Sequence, residues 1–479
     1  LKSTLYKFAA FIFSFCMLIP VSFAQDGFIK RVDFTKKILQ MSNFEIPDSS
    51  YPVGFNDISN LNDIMYIAAA NKYGIAQGYG ESFRPDDYIT KEQALVMLVR
   101  AMDEESFALQ MDEDKIHSLL DFEDKDQISP WAIHSVAYLV ENGLIQAGEK
   151  LMPNSLITSE YSDEIYLDCK SYFDSNLSKE GYSAALMLEK SSEKLSSYNT
   201  YKFKGSMDID TITTVPSADD ISITETENLK MELIQEGIFE KPQRIYSKST
   251  TTITPLSQEQ EKKLEGMTTQ SCEVYFDEEE YLMKMPGEDF WISMDINPLV
   301  KDLQSMTGGH SVGSQALTRD QMKLFGMYSR FADDTKINGR EYYSIDVSLD
   351  SDAFNLILRE FVNKTLEYYD TGIRNASDDS SVSEDDIDQL KSMLSSMVSN
   401  MSAAVKYKFY IDKETLDYRF MDIVQNTNIR LGDIISTSNS AGRFEYYDFD
   451  IPVDFPEIDR SSIKTIPSLI DGNGESIAP

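Results

Sequence analysis

Apolar residues recur at helical spacing in the first third of the chain and at strand spacing in most of the rest. Leu61, Ile64, Ile67 and Ala68 fall on one face of a helix expected from Asn60 to Tyr73, and Gly74 is placed to stop it. A second helix is expected from Lys91 to Met102, with Thr90 as its N-cap and Ala94, Leu95, Leu98 and Met102 on its apolar face. Two such helices joined by a Gly and Pro turn make a hairpin that cannot bury its face alone, whereas stacked copies can. Near Ser178 the period changes. Ala184 to Leu195 reads as a helix, and from Tyr201 to about Pro452 alternating runs dominate. Tyr201–Lys204, Glu273–Phe276, Tyr342–Val347, Tyr407–Ile411 and Tyr418–Ile423 are aromatic-rich and period-two, which predicts a large antiparallel sheet with one wet and one buried face. Asp412-Lys413-Glu414-Thr415 supplies a hairpin turn between two of them. Helical periodicity interrupts the sheet at Pro298 to Met306, Arg319 to Phe331, Ala353 to Tyr369 and Glu384 to Met401. Gly308 to Gln315 and Gly372 to Ser383 read as loops, and 459–479 as a flexible tail.

The helical part repeats. Phe55 and Asp57 open a unit whose first helix ends in Gly74-Ile75-Ala76-Gln77-Gly78-Tyr79, followed by Phe83, Pro85 and Ile89-Thr90-Lys91-Glu92. Phe122-Glu123-Asp124, Gly143 to Gly148, Pro153 and Ile157-Thr158-Ser159-Glu160 restate these landmarks about 67 to 69 residues later. Ile29 to Phe34 supplies the second half of a further copy at the front. These motifs resemble the S-layer homology repeat, which implies an all-α bundle of three pseudo-repeats over 25–175, the first partial and the third degenerate. The resemblance implies attachment to a pyruvylated secondary cell-wall polysaccharide.

The order of elements after that bundle is similar to the LolA/LppX-like lipoprotein-carrier fold and to a group of Gram-positive exported proteins. The shared elements are "SYNTYKFKG" (Ser197 to Gly205), a strand pair from Tyr281 to Trp291, the "YIDKETLDY" hairpin (Tyr410 to Tyr418) and a closing "DIPVDFPE" strand (Asp450 to Glu457). The implied fold over 180–458 is an α+β half-barrel, a curved antiparallel sheet with helices plugging its concave side. Met393, Met397 and Met401 stand one helical turn apart, and methionine lines adaptable apolar grooves, so these three mark either a pocket for a lipid or acyl chain or an ordinary core.

Composition narrows the choices. With 80 acidic against 44 basic residues the formal net charge is −36, and without a basic stripe nucleic-acid binding is excluded. An anionic ligand must then be caught by local cations at a range where salt screens the global field. Lys2, Lys7, the apolar run from Phe8 to Val21 and Ser22-Phe23-Ala24 read as a signal peptide over 1–24, cleaved after Ala24. The protein is thus expected to be exported, with no membrane span in the mature chain. Cys169 and Cys272 read as free thiols, and His117, His134 and His310 share no metal-ligand spacing, so no metal or other cofactor is expected.

The resemblance places glycan contacts at the start of each repeat's second helix: Lys30 and Arg31, Thr90 and Lys91, and Thr158. A helix N-terminus with free N–H groups and a basic first turn suits the carboxylate of a pyruvate ketal. Ser159 removes the charge from the last unit, leaving at most two working grooves, with the third serving packing. Trp131 is placed either to stack on a sugar ring or to pack. Gly309-His310-Ser311-Val312-Gly313 spells Gly-x-Ser-x-Gly, but it lies within the Gly- and Ser-rich stretch read as a loop, without the strand-to-helix turn of a nucleophile elbow. No His-Glu-x-x-His or P-loop pattern occurs, and Asp121 to Asp126 lacks the glycine and closing glutamate of a calcium loop. A wall-anchored, non-enzymatic binding protein is the leading reading. An envelope-polymer hydrolase and a purely structural surface-layer protein are the alternatives.

Overall fold

A computed structural model describes residues 27–48, 52–216, 224–277, 280–294, 319–357 and 399–465, with isolated positions at 359, 360, 392 and 396. The expected leader, the helix at 298–306, the loops at 308–315 and 372–383, and Met393 and Met397 lie outside the described residues. The chain forms two compact units, 1–176 and 177–479.

The first unit is helical. Its α-helices are α1 (Arg31–Ile38), α2 (Leu61–Lys72), α3 (Lys91–Ala101), α4 (Glu105–Leu109), α5 (Glu113–Leu119), α6 (Ile133–Glu141) and α7 (Ser159–Tyr172). Phe34, Ile38, Ile67, Phe83, Leu95, Leu98, Val136 and Leu139 are buried together as its core. Each contributes roughly 1.5–3 kcal/mol of apolar burial. Leu61 departs from the expected stripe: it stands at the first helical position, before the buried face begins, and is exposed. Three extended segments tie the helices into a ring. Ile29 N donates to Ile157 O (3.1 Å), Ile89 N to Ile29 O (3.2 Å) and Ile157 N to Ile89 O (3.2 Å). Two carboxylates clamp the loops that lead into this ring. Asp57 accepts from Phe83 N (2.8 Å) and Arg84 N (2.7 Å). Asp124 accepts from Leu151 N and Met152 N, both at 2.8 Å. The aromatic-x-Asp opening is therefore a loop clamp. Arg84 and Met152 both adopt positive φ, 58° and 52°, so the two clamps have the same backbone geometry.

The second unit opens with the short strands β1 (Ser178–Lys179) and β2 (Tyr182–Ser183), followed by α8 (Ala184–Ser197). A thirteen-stranded sheet follows. Its first meander runs through β3 (Thr200–Pro216), β4 (Thr224–Glu240), β5 (Arg244–Thr254), β6 (Thr269–Phe276), β7 (Tyr281–Lys284) and β8 (Trp291–Met294). The other half holds β9 (Met327–Phe331), β10 (Thr335–Ile337), β11 (Arg340–Leu349), β12 (Met401–Asp412), β13 (Tyr418–Leu431) and β14 (Ile434–Tyr447). The halves join where β14 pairs with β3, antiparallel like the rest. Among the described residues only β15 (Ile463–Thr465), lying within the expected flexible tail, pairs in parallel, against β8. Helix α8 lays Ala184, Met187, Leu188 and Leu195 against Tyr201, Phe239, Ile345, Phe409 and Tyr418 of the sheet.

Three expectations change here. The helix expected from Arg319 to Phe331 stops at Leu324, because Gly326 turns left-handed (φ 60°) and the chain enters β9. Met401 does not end a helix. It opens β12 opposite Ile429, where the alternating run Ser402 to Ile411 carries the ladder onward. Residues 450–457 form no strand, since Pro452 and Pro456 remove ladder donors. That segment is held by Asn199 N donating to Asp450 Oδ1 (2.7 Å) and Thr200 Oγ1 to Ile451 O (2.7 Å).

Glycine flattens one face of the sheet. The Phe203 ring lies over Gly237, where an added Cβ would come within 2.2 Å of the ring and 2.6 Å of Tyr246 O. Gly237→Val is expected to destabilise the second unit by about 1–3 kcal/mol through overpacking. A lowered denaturation midpoint checks this; an unchanged midpoint refutes it.

Candidate ligand-binding cleft in residues 27–176

Helix α3 begins with Lys91, whose aliphatic stem is half-buried on the wall of a cleft of about 220 Å³. Phe122, Gln146, Lys150, Tyr161, Glu164 and Asp168 also line it. Lys91 Nζ lies 4.6 Å from the Tyr161 ring centroid, a cation–π distance. Among the described residues Lys91 makes no ion pair. Burial lowers its pKa, and the more distant Asp124 carboxylate opposes that shift. Half-burying an ammonium against a ring, with no carboxylate in contact, leaves its charge available to an incoming anion. Glu164 and Asp168 supply acceptors for sugar hydroxyls on the same cleft.

Arg31 takes the matching place at the start of α1, and its surroundings differ. It is only 6% exposed. Its Nη2 donates to Gln77 O at 2.6 Å, and its guanidinium lies over Tyr79 (5.2 Å) and Phe83 (4.9 Å). Nε has no hydrogen-bond partner among the described residues. Burial lowers the Arg31 pKa, opposed by Tyr79 and Asp87; an arginine stays charged regardless.

The helix N-termini do not present free N–H groups, contrary to expectation. Arg31 N donates to Asp87 O (2.8 Å), Lys91 N to Ser155 O (2.9 Å) and Ser159 N to Gly27 O (2.8 Å). Val32 N and Glu92 N are likewise taken, by Pro85 O (3.1 Å) and Pro153 O (3.0 Å). The ring that joins the segments uses up the donors a ligand would need, so any anion must be held by side chains. Other candidates are scattered. Lys30 Nζ pairs with Asp86 at 2.7 Å. Thr90 Oγ1 is buried without a partner, while Thr158 Oγ1 accepts from Tyr161 N at 3.2 Å as an N-cap. Trp131 is 54% exposed, so it is not core, and it does not line the cleft. Where Ser159 lacks a charge, Lys37 of α1 fills the interface by bonding Ser162 Oγ (2.8 Å) and pairing with Asp163. Lys150 and Tyr161 were not singled out from sequence. Gln146 could have pointed to them, since it repeats Gln77 at the offset between the two units.

Residues 54–95 match the S-layer homology domain family. They form an S-layer homology domain. The domain makes this a cell-surface protein. A 118-residue stretch is 33% identical to an amylopullulanase of Thermoanaerobacterium thermosulfurigenes and to exoglucanase XynX of Acetivibrio thermocellus. It covers 24% of this chain but only 6% and 10% of those proteins, a small fraction of their length. The second unit is similar to Mycobacterium tuberculosis lipoprotein LppX, at 10% identity and a TM-score of 0.25, over 57% of this chain and 97% of that one. No helix among the described residues is long and apolar enough to cross a membrane.

Proposed function

We propose that the protein is a non-catalytic wall anchor. Three helical-pair repeats over 25–175 hold an acidic, pyruvate-bearing cell-wall polysaccharide, chiefly in the cleft at Lys91. The observation that carries this is a half-buried ammonium without an ion pair, beside Lys150, in an open cleft of about 220 Å³. In a chain of net charge −36, long-range forces repel an anionic polymer, so capture depends on such a local site. The cyclic bonds among Ile29, Ile89 and Ile157 support the three-repeat reading. A ketal carboxylate on Lys91 and Lys150, with sugar hydroxyls on Glu164, Asp168 and Gln146, uses the charged and amide side chains of the lining.

For the sheet domain, 180–458, the same reading assigns binding of a lipid or other apolar ligand. Its support is a run of half-buried apolar side chains on neighbouring strands, with Met207 opposite Leu233 and Ile209 opposite Met231, continued by Ile423 and Phe444. Met401 faces Ile429 at the start of β12.

Sedimentation of the chain with purified cell walls tests the anchoring. Retention on native walls that disappears once pyruvate has been removed is expected. Equal retention on both preparations rejects the acidic-glycan assignment.

A further inference from the structure

The two matching sites differ at several positions, with Arg31, Arg84 and Gln93 in one answering to Lys91, Met152 and Tyr161 in the other, and one difference lies on the turn beside them. Counted from the helix-ending glycines Gly74 and Gly143, Tyr79 and Gly148 are equivalent. Beside Gly148 stands the open cleft. At the Arg31 site, the Tyr79 ring lies over two guanidinium groups, 5.2 Å from Arg31 and 4.6 Å from Arg84. Gln93 Nε2 donates to its hydroxyl at 2.9 Å. Arg31 is buried, yet its Nε is unpartnered, its guanidinium bonds a neutral carbonyl and lies over ring faces, and the Asp87 carboxylate acts on it without forming an ion pair among the described residues. This is a cationic site covered by a side chain that brings no charge to it.

The cover is weakly fastened. Tyr79 is 46% exposed. It sits on a tight turn, with Tyr79 N donating to Ser82 O at 2.7 Å and Gly80 in the left-handed region (φ 66°). A ring attracts guanidinium through its quadrupole alone, whereas a carboxylate offers full charge and two acceptors in the geometry of the arginine fork. Both arginines and the Gln93 amide therefore bind an acidic sugar better than they bind the ring.

We propose that Tyr79 closes a second acidic-glycan site, formed by Arg31, Arg84 and Gln93, which is open only when the ring swings out. This rests on the reading of the Lys91 cleft as a glycan site. The protein then holds one site always open and a second that engages when polymer is abundant, and Tyr79 sets the difference.

Calorimetric titration of the full chain with a short oligosaccharide bearing a pyruvate ketal tests it. The chain itself is expected to bind one equivalent tightly, and Tyr79→Gly two. Tyr79→Gly combined with Lys91→Ala is expected to bind one, now at Arg31. Tyr79→Phe, which keeps the ring, is expected to stay at one. Should Tyr79→Gly lose its folded thermal transition, Tyr79→Ala takes its place with the same expectation. A single equivalent in the ring-less variants, or weaker binding than the parent chain, overturns the gate while leaving the Lys91 cleft intact. No binding in any chain overturns both.

Discussion

Lys91→Ala is expected to weaken binding to pyruvylated wall polysaccharide by roughly 10- to 100-fold. One charge-assisted hydrogen bond is worth about 1.5–3 kcal/mol, and about 1.4 kcal/mol is a factor of ten. The half-buried setting of Lys91 against Tyr161 puts it toward the upper end, because the ammonium has already lost part of its hydration. Lys91→Glu should do more than remove the contact, since it adds repulsion beside Glu164 and Asp168. The pH dependence has a definite sign. Capture needs the charged ammonium, and burial lowers the Lys91 pKa, so affinity falls as pH rises through a value below that of an ordinary lysine. Raised salt weakens the same contact modestly, as expected for a partly buried pair.

Asp417→Ala is expected to be the most damaging single change in the sheet domain, costing about 3–5 kcal/mol. Asp417 is 4% exposed, at the β12–β13 hairpin. It accepts from Tyr198 OH (2.6 Å) and Thr415 Oγ1 (2.8 Å), and pairs with Lys194 (2.9 Å) and Arg419 (3.3 Å). Removing it strands two cations and a phenol and unfastens α8 from the hairpin. Burial alone would raise the Asp417 pKa, but its bonds to Tyr198, Lys194 and Thr415 win and hold it below the usual carboxylate range. The stability it contributes is thus fully present above the unfolded-chain value of about 3.9 and is lost as pH falls through the lower folded value. Chemical denaturation of the intact chain and of Asp417→Ala at neutral pH, and again near pH 3, checks both statements. The gap between the two chains should narrow in acid.

Much of this was legible in the sequence where one local pattern dictates one structure. The spacing around Ile67 and Leu98 marked two helices, Gly74 and Thr90 marked their limits, and the alternation from Tyr407 to Ile423 marked a hairpin. The repeated aromatic-x-Asp motif marked equivalent positions but not their use, because the clamps that Asp57 and Asp124 place on loop N–H groups close only in three dimensions. Sequence also pointed to Arg31 and Lys91 with nearly equal weight. What separates them is packing from elsewhere in the chain: Tyr79 and Phe83 enclose the buried Arg31, whereas Lys91, with Tyr161 against it, stays on the wall of a cleft. The helix tips misled for the same reason. The first N–H of each of these helices is satisfied by a segment far along the chain, Arg31 N by Asp87 O, Lys91 N by Ser155 O and Ser159 N by Gly27 O. Beyond Gly326, helical periodicity in Met327 to Phe331 yielded to pairing with Ile345 to Leu349, a long-range ladder that local spacing does not encode.

The most direct measurement is the affinity of the intact chain for purified wall polysaccharide, with and without its ketal groups, for the parent chain and for Lys91→Ala. Tight binding that needs the ketal and drops by about tenfold or more without the Lys91 ammonium is the expected result. Identical affinities for the two chains, or indifference to the ketal, would contradict a glycan site built around that half-buried cation.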